Sequence, residues 1–303
     1  MLALHSYDSK VTKNFSGLYR IEALVMILSA LKWRELNGDI KLYCDYDFYA
    51  WLKKIDFLDL YSVIDCTTLD KERDSSIDIS KPYGFWASSK FYALDKEKTP
   101  FVMLDLDFIS FVNLDYFFKQ EYDFIAYCQE NLSGIFKNPL YLVYPEKEGL
   151  SIPKDFILED DLDWSINPIN CSLVFYKNDD LKNFYVKNAF RYMKNNKIPD
   201  KNKREDFPPS DMCFIEQRYL PMLAKNKGYR YTTFLPGAVG TGETDRYMKK
   251  DNRFFHLWAA KYKPELVEFL YPKLKEVLHK KYPDIYERFQ KIENTMTDWK
   301  WHG

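Results

Sequence analysis

Phe101-Val102-Met103-Leu104-Asp105-Leu106-Asp107-Phe108 is the stretch on which the reading of this chain turns. Four apolar residues in unbroken succession suit a strand buried on both faces, and two aspartates two residues apart end it. Where such a strand gives way to a turn, side chains at i and i+2 can converge on one point. A hard divalent cation such as Mg²⁺ or Mn²⁺ favours oxygen ligands of this kind and keeps other positions open for phosphate oxygens. The plainer alternative is that Asp105 and Asp107 merely end a strand and cap the next turn, so the surroundings have to decide.

Upstream, the chain alternates helical and strand patterns. Residues 2–6, 40–44 and 61–65 read as short strands. Between the first two, Leu18, Ile21, Leu24, Val25, Ile27, Leu28, Leu31 and Leu36 recur at helical spacing, with Ser16 as a candidate N-cap and Asn37-Gly38 as a stop. Helical spacing resumes over 84–96, just before the decisive strand. This alternation predicts an α/β fold, a mixed and mostly parallel Rossmann-like sheet flanked by helices. Such sheets bind ligands outside the carboxyl ends of their strands, where His5, Asp45, Asp65 and Asp105 are expected.

Downstream, 124–128 and 171–176 read as strands, 180–195 and 210–226 as helices, and 231–235 and 254–258 as short late strands. A lysine-rich stretch, 194–209, ends in Pro208-Pro209 and reads as an exposed loop. Residues 236–252 carry Gly237, Gly240 and Gly242 without a following Gly-Lys-Ser/Thr, and read as a flap over a ligand. The acidic run 159–163 reads as a solvated loop. From Pro264 onward Leu266, Phe269, Leu270, Leu274 and Leu278 mark one helical face. Residues 1–263 are therefore expected to form one catalytic domain, and 264–303 a helical extension packed on it.

Composition narrows the function classes. The 303 residues are 46% hydrophobic, enough for a sizeable core without disulfides. Net charge is -1, which gives no global field for nucleic acid. Cys44, Cys66, Cys128, Cys171 and Cys213 form no CxxC pair and read as small buried hydrophobes of a reducing compartment. The N-terminus lacks the basic region of a secretory signal, and no run of 18 apolar residues occurs, so a cytoplasmic place is expected. Lys280-Lys281 and Trp299-Lys300-Trp301 leave room for peripheral contact with an anionic membrane.

The decisive run resembles the DXD motif of GT-A glycosyltransferases, family 8-like or of a related bacterial polysaccharide-building kind. Residues 84–94 resemble the helix that precedes the DXD strand in several such families. Asn170-Cys171-Ser172 is similar to their N-x-G strand, with Ser172 in place of glycine, and 210–217 to the acidic helix start that follows. Phe255-His256-Leu257-Trp258-Ala259-Ala260-Lys261 is similar to their late histidine segment. The resemblance implies a Mn²⁺ or Mg²⁺ ion on Asp105, Asp107 and His256, with Lys261 or Lys263 on the diphosphate of a nucleotide-sugar, a UDP-sugar above others. It implies transfer to a glycan or lipid-linked acceptor in surface polysaccharide synthesis. His5 would face the nucleotide, Tyr7, Asp45 and Trp86 would supply the base and ribose slot, and Lys90 would lie near phosphate. Asp211 and Glu216 are the carboxylates expected to serve the acceptor hydroxyl. His279 and His302 read as surface residues.

Three rivals stand beside this reading. A haloacid dehalogenase-like phosphatase also uses hydrophobic-Asp-x-Asp, but at its first strand. A nucleotidyltransferase shares sheet, nucleotide and metal, but opens with a glycine-rich basic loop. A non-catalytic carbohydrate-binding protein of the same fold would suit the 18% aromatic content.

Overall fold

Continuous apolar strands must be covered on both faces, and that requirement organises the chain. The computed structural model describes residues 1–11, 15–79, 84–130, 163, 165–196, 210–236, 238–239 and 252–296. Strands β1 (Ala3–Tyr7), β2 (Ile40–Cys44), β3 (Val63–Asp65) and β4 (Phe101–Leu104) run parallel. Beyond β4 the direction reverses once: β7 (Ile169–Tyr176) is antiparallel to both β4 and β6 (Phe124–Glu130). β8 (Tyr231–Thr233) and β9 (Ala238–Val239) pair parallel with β6. The order across the sheet is β3-β2-β1-β4-β7-β6-β8, with β9 also on β6. A separate two-stranded ribbon joins β5 (Phe108–Ser110) to β10 (Phe254–His256). This is the mixed, mostly parallel helix-flanked sheet that the alternating pattern predicts.

Period-two alternation splits the side chains of the sheet between two cores. Ala3, Leu42, Val102, Leu104 and Phe175 lie on one face, against helix α1 (Arg20–Leu36) and α2 (Tyr46–Lys54). Leu4, Tyr43, Met103, Val174 and Tyr176 face the other way. There they meet α4 (Ser88–Lys96), α6 (Asp179–Asn195) and α8 (Tyr219–Lys227). Between β3 and α4 lies the single short turn of helix α3 (Thr68–Glu72), and α5 (Asp115–Phe118) follows β5. Helix α1 is apolar nearly all round, with Leu24, Val25, Met26, Ile27 and Leu28 fully buried. The reason is its position between the sheet and the C-terminal helix Pro264–Lys281, which leaves only its last turn, at Arg34 and Glu35, open to solvent.

That C-terminal helix and its successor, Pro283–Glu293, complete the first core through Leu270, Leu274, Leu278 and Phe289. Arg288 fixes them to the sheet edge with bonds of 2.8 and 2.7 Å to Asp59. Among the described residues no helix is long and apolar enough to cross a membrane. Trp299, Lys300, Trp301 and His302 lie outside the described residues, as do most of the 159–163 run, the 197–209 stretch and Gly237, Gly240 and Gly242.

Local chemistry moves several boundaries. Helix α1 opens at Arg20 and not at Ser16; Tyr19 is its N-cap, and the Glu22 carboxylate returns to accept the Tyr19 N–H at 3.3 Å. Helix α2, which the sequence pattern did not predict, forms because Asp45 caps it, accepting from the Phe48 amide at 3.4 Å. The expected helix over 210–226 is broken into α7 (Ser210–Cys213), a π-helical turn, Phe214–Arg218, and α8. Gly38 does end α1. It adopts φ +124°, and a Cβ there would come within 2.6 Å of the Met1 backbone nitrogen. Gly38→Ala is therefore expected to cost about 2 kcal/mol or more, from backbone strain plus displacement of β1's first residue, read as a lower urea midpoint.

Candidate functional site

The site is built where β4 ends. After Leu104 the chain turns, with the Phe108 amide bonded back to the Asp105 carbonyl at 3.1 Å, and then enters β5. Asp105 is held from the sheet side by its amide on the Ser172 carbonyl of β7, 2.8 Å. Asp107 is held from the ribbon side, because its carbonyl accepts the Leu257 amide at 2.9 Å. The antiparallel register sets His256 directly opposite Phe108, so its ring arrives beside Asp107.

This pairing brings three ligand atoms together. One oxygen each of Asp105 and Asp107 and one ring nitrogen of His256 lie within 4.8 Å of one another, the only such trio among the described residues. An octahedral ion with bonds of about 2.0–2.1 Å keeps its ligand atoms roughly 3–4 Å apart, so the donor set fits after small side-chain rotations. Two carboxylates and one imidazole suit Mn²⁺ or Mg²⁺ better than a thiolate-seeking ion. His256 Nε2 is 3.5 Å from the Asp107 carboxylate.

Two lysines complete the electrostatics. Lys90, on α4, lies 2.6 Å from Asp105 and also pairs with Glu216. Lys261 lies 3.2 Å from Asp107 and 3.1 Å from Glu22 of α1. Burial pushes the Asp107 carboxyl up, but Lys261 and His256 outweigh it and hold it well below the usual carboxylate range. Burial likewise disfavours both ammonium groups, yet the facing carboxylates reverse this and keep Lys90 and Lys261 protonated. For Glu216, burial raises the carboxyl and Asp105 adds to that rise, against Lys90.

Glu216 reaches this cluster through the π-helical turn. The wider turn frees the carbonyls of Ile215 and Glu216, and both accept the Tyr185 hydroxyl at 3.0 Å. The Cys171 thiol also donates to the Glu216 carbonyl, at 3.0 Å. Both donors come from buried elements, so the turn is fixed and its carboxylate faces Lys90. Asp211 begins the same segment in α7, and its side chain lies outside the described residues.

The remaining expected contacts separate into different places. His5 is fully buried on the α1 face of β1. There it forms a polar chain: His5 Nδ1 is 3.0 Å from the Tyr61 hydroxyl, His5 Nε2 is 3.1 Å from Ser29 Oγ, and Ser29 donates to the Phe108 carbonyl at 2.5 Å. Since Ser29 spends its proton on Phe108, His5 Nε2–H must donate to Ser29, and Nδ1 accepts from Tyr61. Asp45 is fully buried and accepts from the Ser9 amide at 3.2 Å and from its hydroxyl, besides capping α2. Tyr7 packs on Phe48 with ring centroids 4.3 Å apart, and Trp86 against the second core ahead of α4. Lys263 is exposed.

Sequence reasoning missed two groups here. Glu22 has no spacing relation to Lys261; only its place in the first turn of α1 hinted at a role. The Asp8–Arg73 pair, bonded at 2.9 and 2.7 Å beyond the end of β1, was legible as a carboxylate following a strand, like Asp105.

Solved structures similar to the chain include the glycosyltransferase GlyE of Streptococcus pneumoniae TIGR4 (13% identity, TM-score 0.40). That match covers 77% of this chain and 45% of GlyE, so the chain spans less than half of its length. An active-site mutant of LgtC is 8% identical with TM-score 0.43, covering 99% of this chain and 98% of LgtC. Mouse xyloside xylosyltransferase 1 is 10% identical with TM-score 0.42, covering 84% and 96%. No curated protein matches the chain in sequence. One family model matches residues 7–292, nearly the whole chain, and the chain belongs to that family, described as a family of unknown function, DUF6734.

Proposed function

We propose that this chain is a metal-dependent glycosyltransferase that takes a sugar from a nucleotide-diphosphate donor, a UDP-sugar in the first instance, to a glycan or lipid-linked acceptor. The observation that carries this reading is the convergence of Asp105, Asp107 and His256 at the carboxyl edge of a mostly parallel sheet. It joins the DXD resemblance to a donor set that a Mn²⁺ or Mg²⁺ ion fits.

A bound ion supplies a Lewis acid that neutralises charge building on the departing diphosphate. The chain's own groups do the rest. Asp107, ionised throughout the neutral range, offers a ligand oxygen without first losing a proton. Lys261 stands beside it as a cation for phosphate oxygens. Lys90 is steadied between Asp105 and Glu216, so Glu216, only 6% exposed, is assigned to hold that lysine. Asp211 is the carboxylate assigned to the acceptor hydroxyl, and Tyr7 and Trp86 are assigned to the nucleotide side.

Incubation with UDP- and GDP-sugars and Mn²⁺ is expected to release free UDP or GDP slowly, and EDTA to reduce the release at least about 100-fold. The cognate donor with Mn²⁺ should also raise the melting temperature, since it binds only the folded chain. Release that persists undiminished in EDTA would remove the metal from this reading.

A further inference from the structure

Each aspartate of the ligand trio already has a cation, and each cation has a second anion. Lys261 lies between Asp107 at 3.2 Å and Glu22 at 3.1 Å, and Lys90 between Asp105 and Glu216. Lys261 is the more telling arm, because its two partners differ in kind. Asp107 belongs to the ligand trio. Glu22 does not; it sits in the first turn of α1, accepting the Tyr19 amide at 3.3 Å, on a helix whose following turns are buried.

We propose that Lys261 is a tethered counter-ion that occupies Asp107 in the metal-free protein and withdraws onto Glu22 when a divalent cation binds, so that Glu22 sets the metal affinity of the site without touching the metal. The inference rests on the metal reading of Asp105, Asp107 and His256. A divalent cation and an ammonium group on one carboxylate repel each other, and in a site this enclosed the repulsion is weakly screened. Were Asp107 the sole partner of Lys261, metal binding would strand a half-buried ammonium group. Glu22 removes that penalty, because Lys261 already touches it at 3.1 Å, against 3.2 Å for Asp107, and the exchange asks only a small movement of one flexible side chain. Glu22 is anchored by the helix start and cannot follow the lysine. It is a positioning residue, acting through Lys261.

The test is a Mn²⁺ titration of the full chain without nucleotide, followed by the electron paramagnetic resonance of free Mn²⁺, on wild type, Glu22→Gln, Lys261→Met and the double variant. Lys261→Met is expected to tighten Mn²⁺ about tenfold by removing the competitor, and Glu22→Gln to weaken it about fivefold. In the double variant the Glu22 effect should vanish, leaving affinity within about twofold of Lys261→Met. A Glu22→Gln weakening that persists without the lysine would mean that Glu22 acts by its own field, and would overturn the exchange. Lys261→Met binding no tighter than wild type would overturn it as well. Wild type that takes up no Mn²⁺ at millimolar concentration would instead remove the metal reading, and the exchange with it. Circular dichroism checks folding, and Lys261→Gln replaces Lys261→Met if the latter fails to fold.

Discussion

Asp107→Ala is expected to lower Mn²⁺-dependent donor turnover by about 10³-fold and to erase the thermal stabilisation that Mn²⁺ gives, with the circular dichroism spectrum unchanged. Both losses follow from where the carboxylate stands. Asp107 is the residue at which the two halves of the site meet: its side chain faces His256 and Lys261, and its carbonyl ties β5 to the segment after β10. Alanine removes the ligand oxygen and keeps the backbone bond to Leu257, so the ribbon should hold. Lys261 keeps Glu22 as a partner, which spares the variant a stranded charge. Removing one preorganised group that stabilises transition-state charge typically costs about 10²–10³ in rate, and losing the ion with it places the expectation at the upper end. Asp107→Asn keeps the shape and loses the charge, and should fall nearly as far. Turnover within threefold of wild type in both variants would eliminate Asp107 from the chemistry.

Lowering the pH from 6.5 to 5 is expected to cost wild type about 2 kcal/mol of stability that His5→Gln does not lose. Burial lowers the His5 pKa from 6.5 to about 3, against a smaller opposing pull from Asp107. Between those values the unfolded chain binds a proton that the folded chain refuses, so stability falls as pH falls, at about 1.4 kcal/mol per pH unit. The sign is that of a histidine kept neutral: its contribution is fully present above the unfolded pKa and drains away below it. Burial gives the reason: an imidazolium there would carry its charge out of reach of water, and a proton on Nδ1 would also turn the Tyr61 hydroxyl from donor to acceptor. Other groups titrate in this window in both proteins, so the difference between wild-type and His5→Gln urea midpoints between pH 5 and 6.5 is what isolates the histidine. Parallel wild-type and His5→Gln curves would show that His5 does not carry the acid sensitivity. The same chain ends on the Phe108 carbonyl, one residue past Asp107, and so ties a core histidine to the strand that follows the aspartate pair.

Much of this architecture was legible from local patterns. The apolar run at 101–104, the helical spacing of α1 and the stop at Gly38 all correspond to elements found. Helix α2 was not, because it spans only nine residues and its formation depends on Asp45, whose carboxylate also has to accept from Ser9. Strand β5, three residues long, was too short for periodicity; β10 falls within the strand expected over 254–258, but its pairing with β5 was not written in either stretch. Asp45 itself shows how a polar residue at a strand end divides between roles. Its place beyond β2 was foreseen, and the structure spends its oxygens on the helix cap and on Ser9.

Taken alone, the order of residues determined that a buried strand ends in two carboxylates at i and i+2, that such strands lie mostly parallel, and that His256 and Lys261 follow late in the chain. Those are short-range properties, written in apolar spacing and in the reach of neighbouring side chains. Tertiary structure decided which charges confront those carboxylates. Glu22, Lys90, Glu216 and the His256–Lys261 stretch come from four separate segments, and no spacing rule relates the four. Sheet order, the β5–β10 register and the fixed π-helical turn carry them to one edge, where low solvent exposure makes each nearby charge count. Burial and pairing are properties of that assembly, and they set two ordinary aspartates beside His256 in the site proposed to hold a cation.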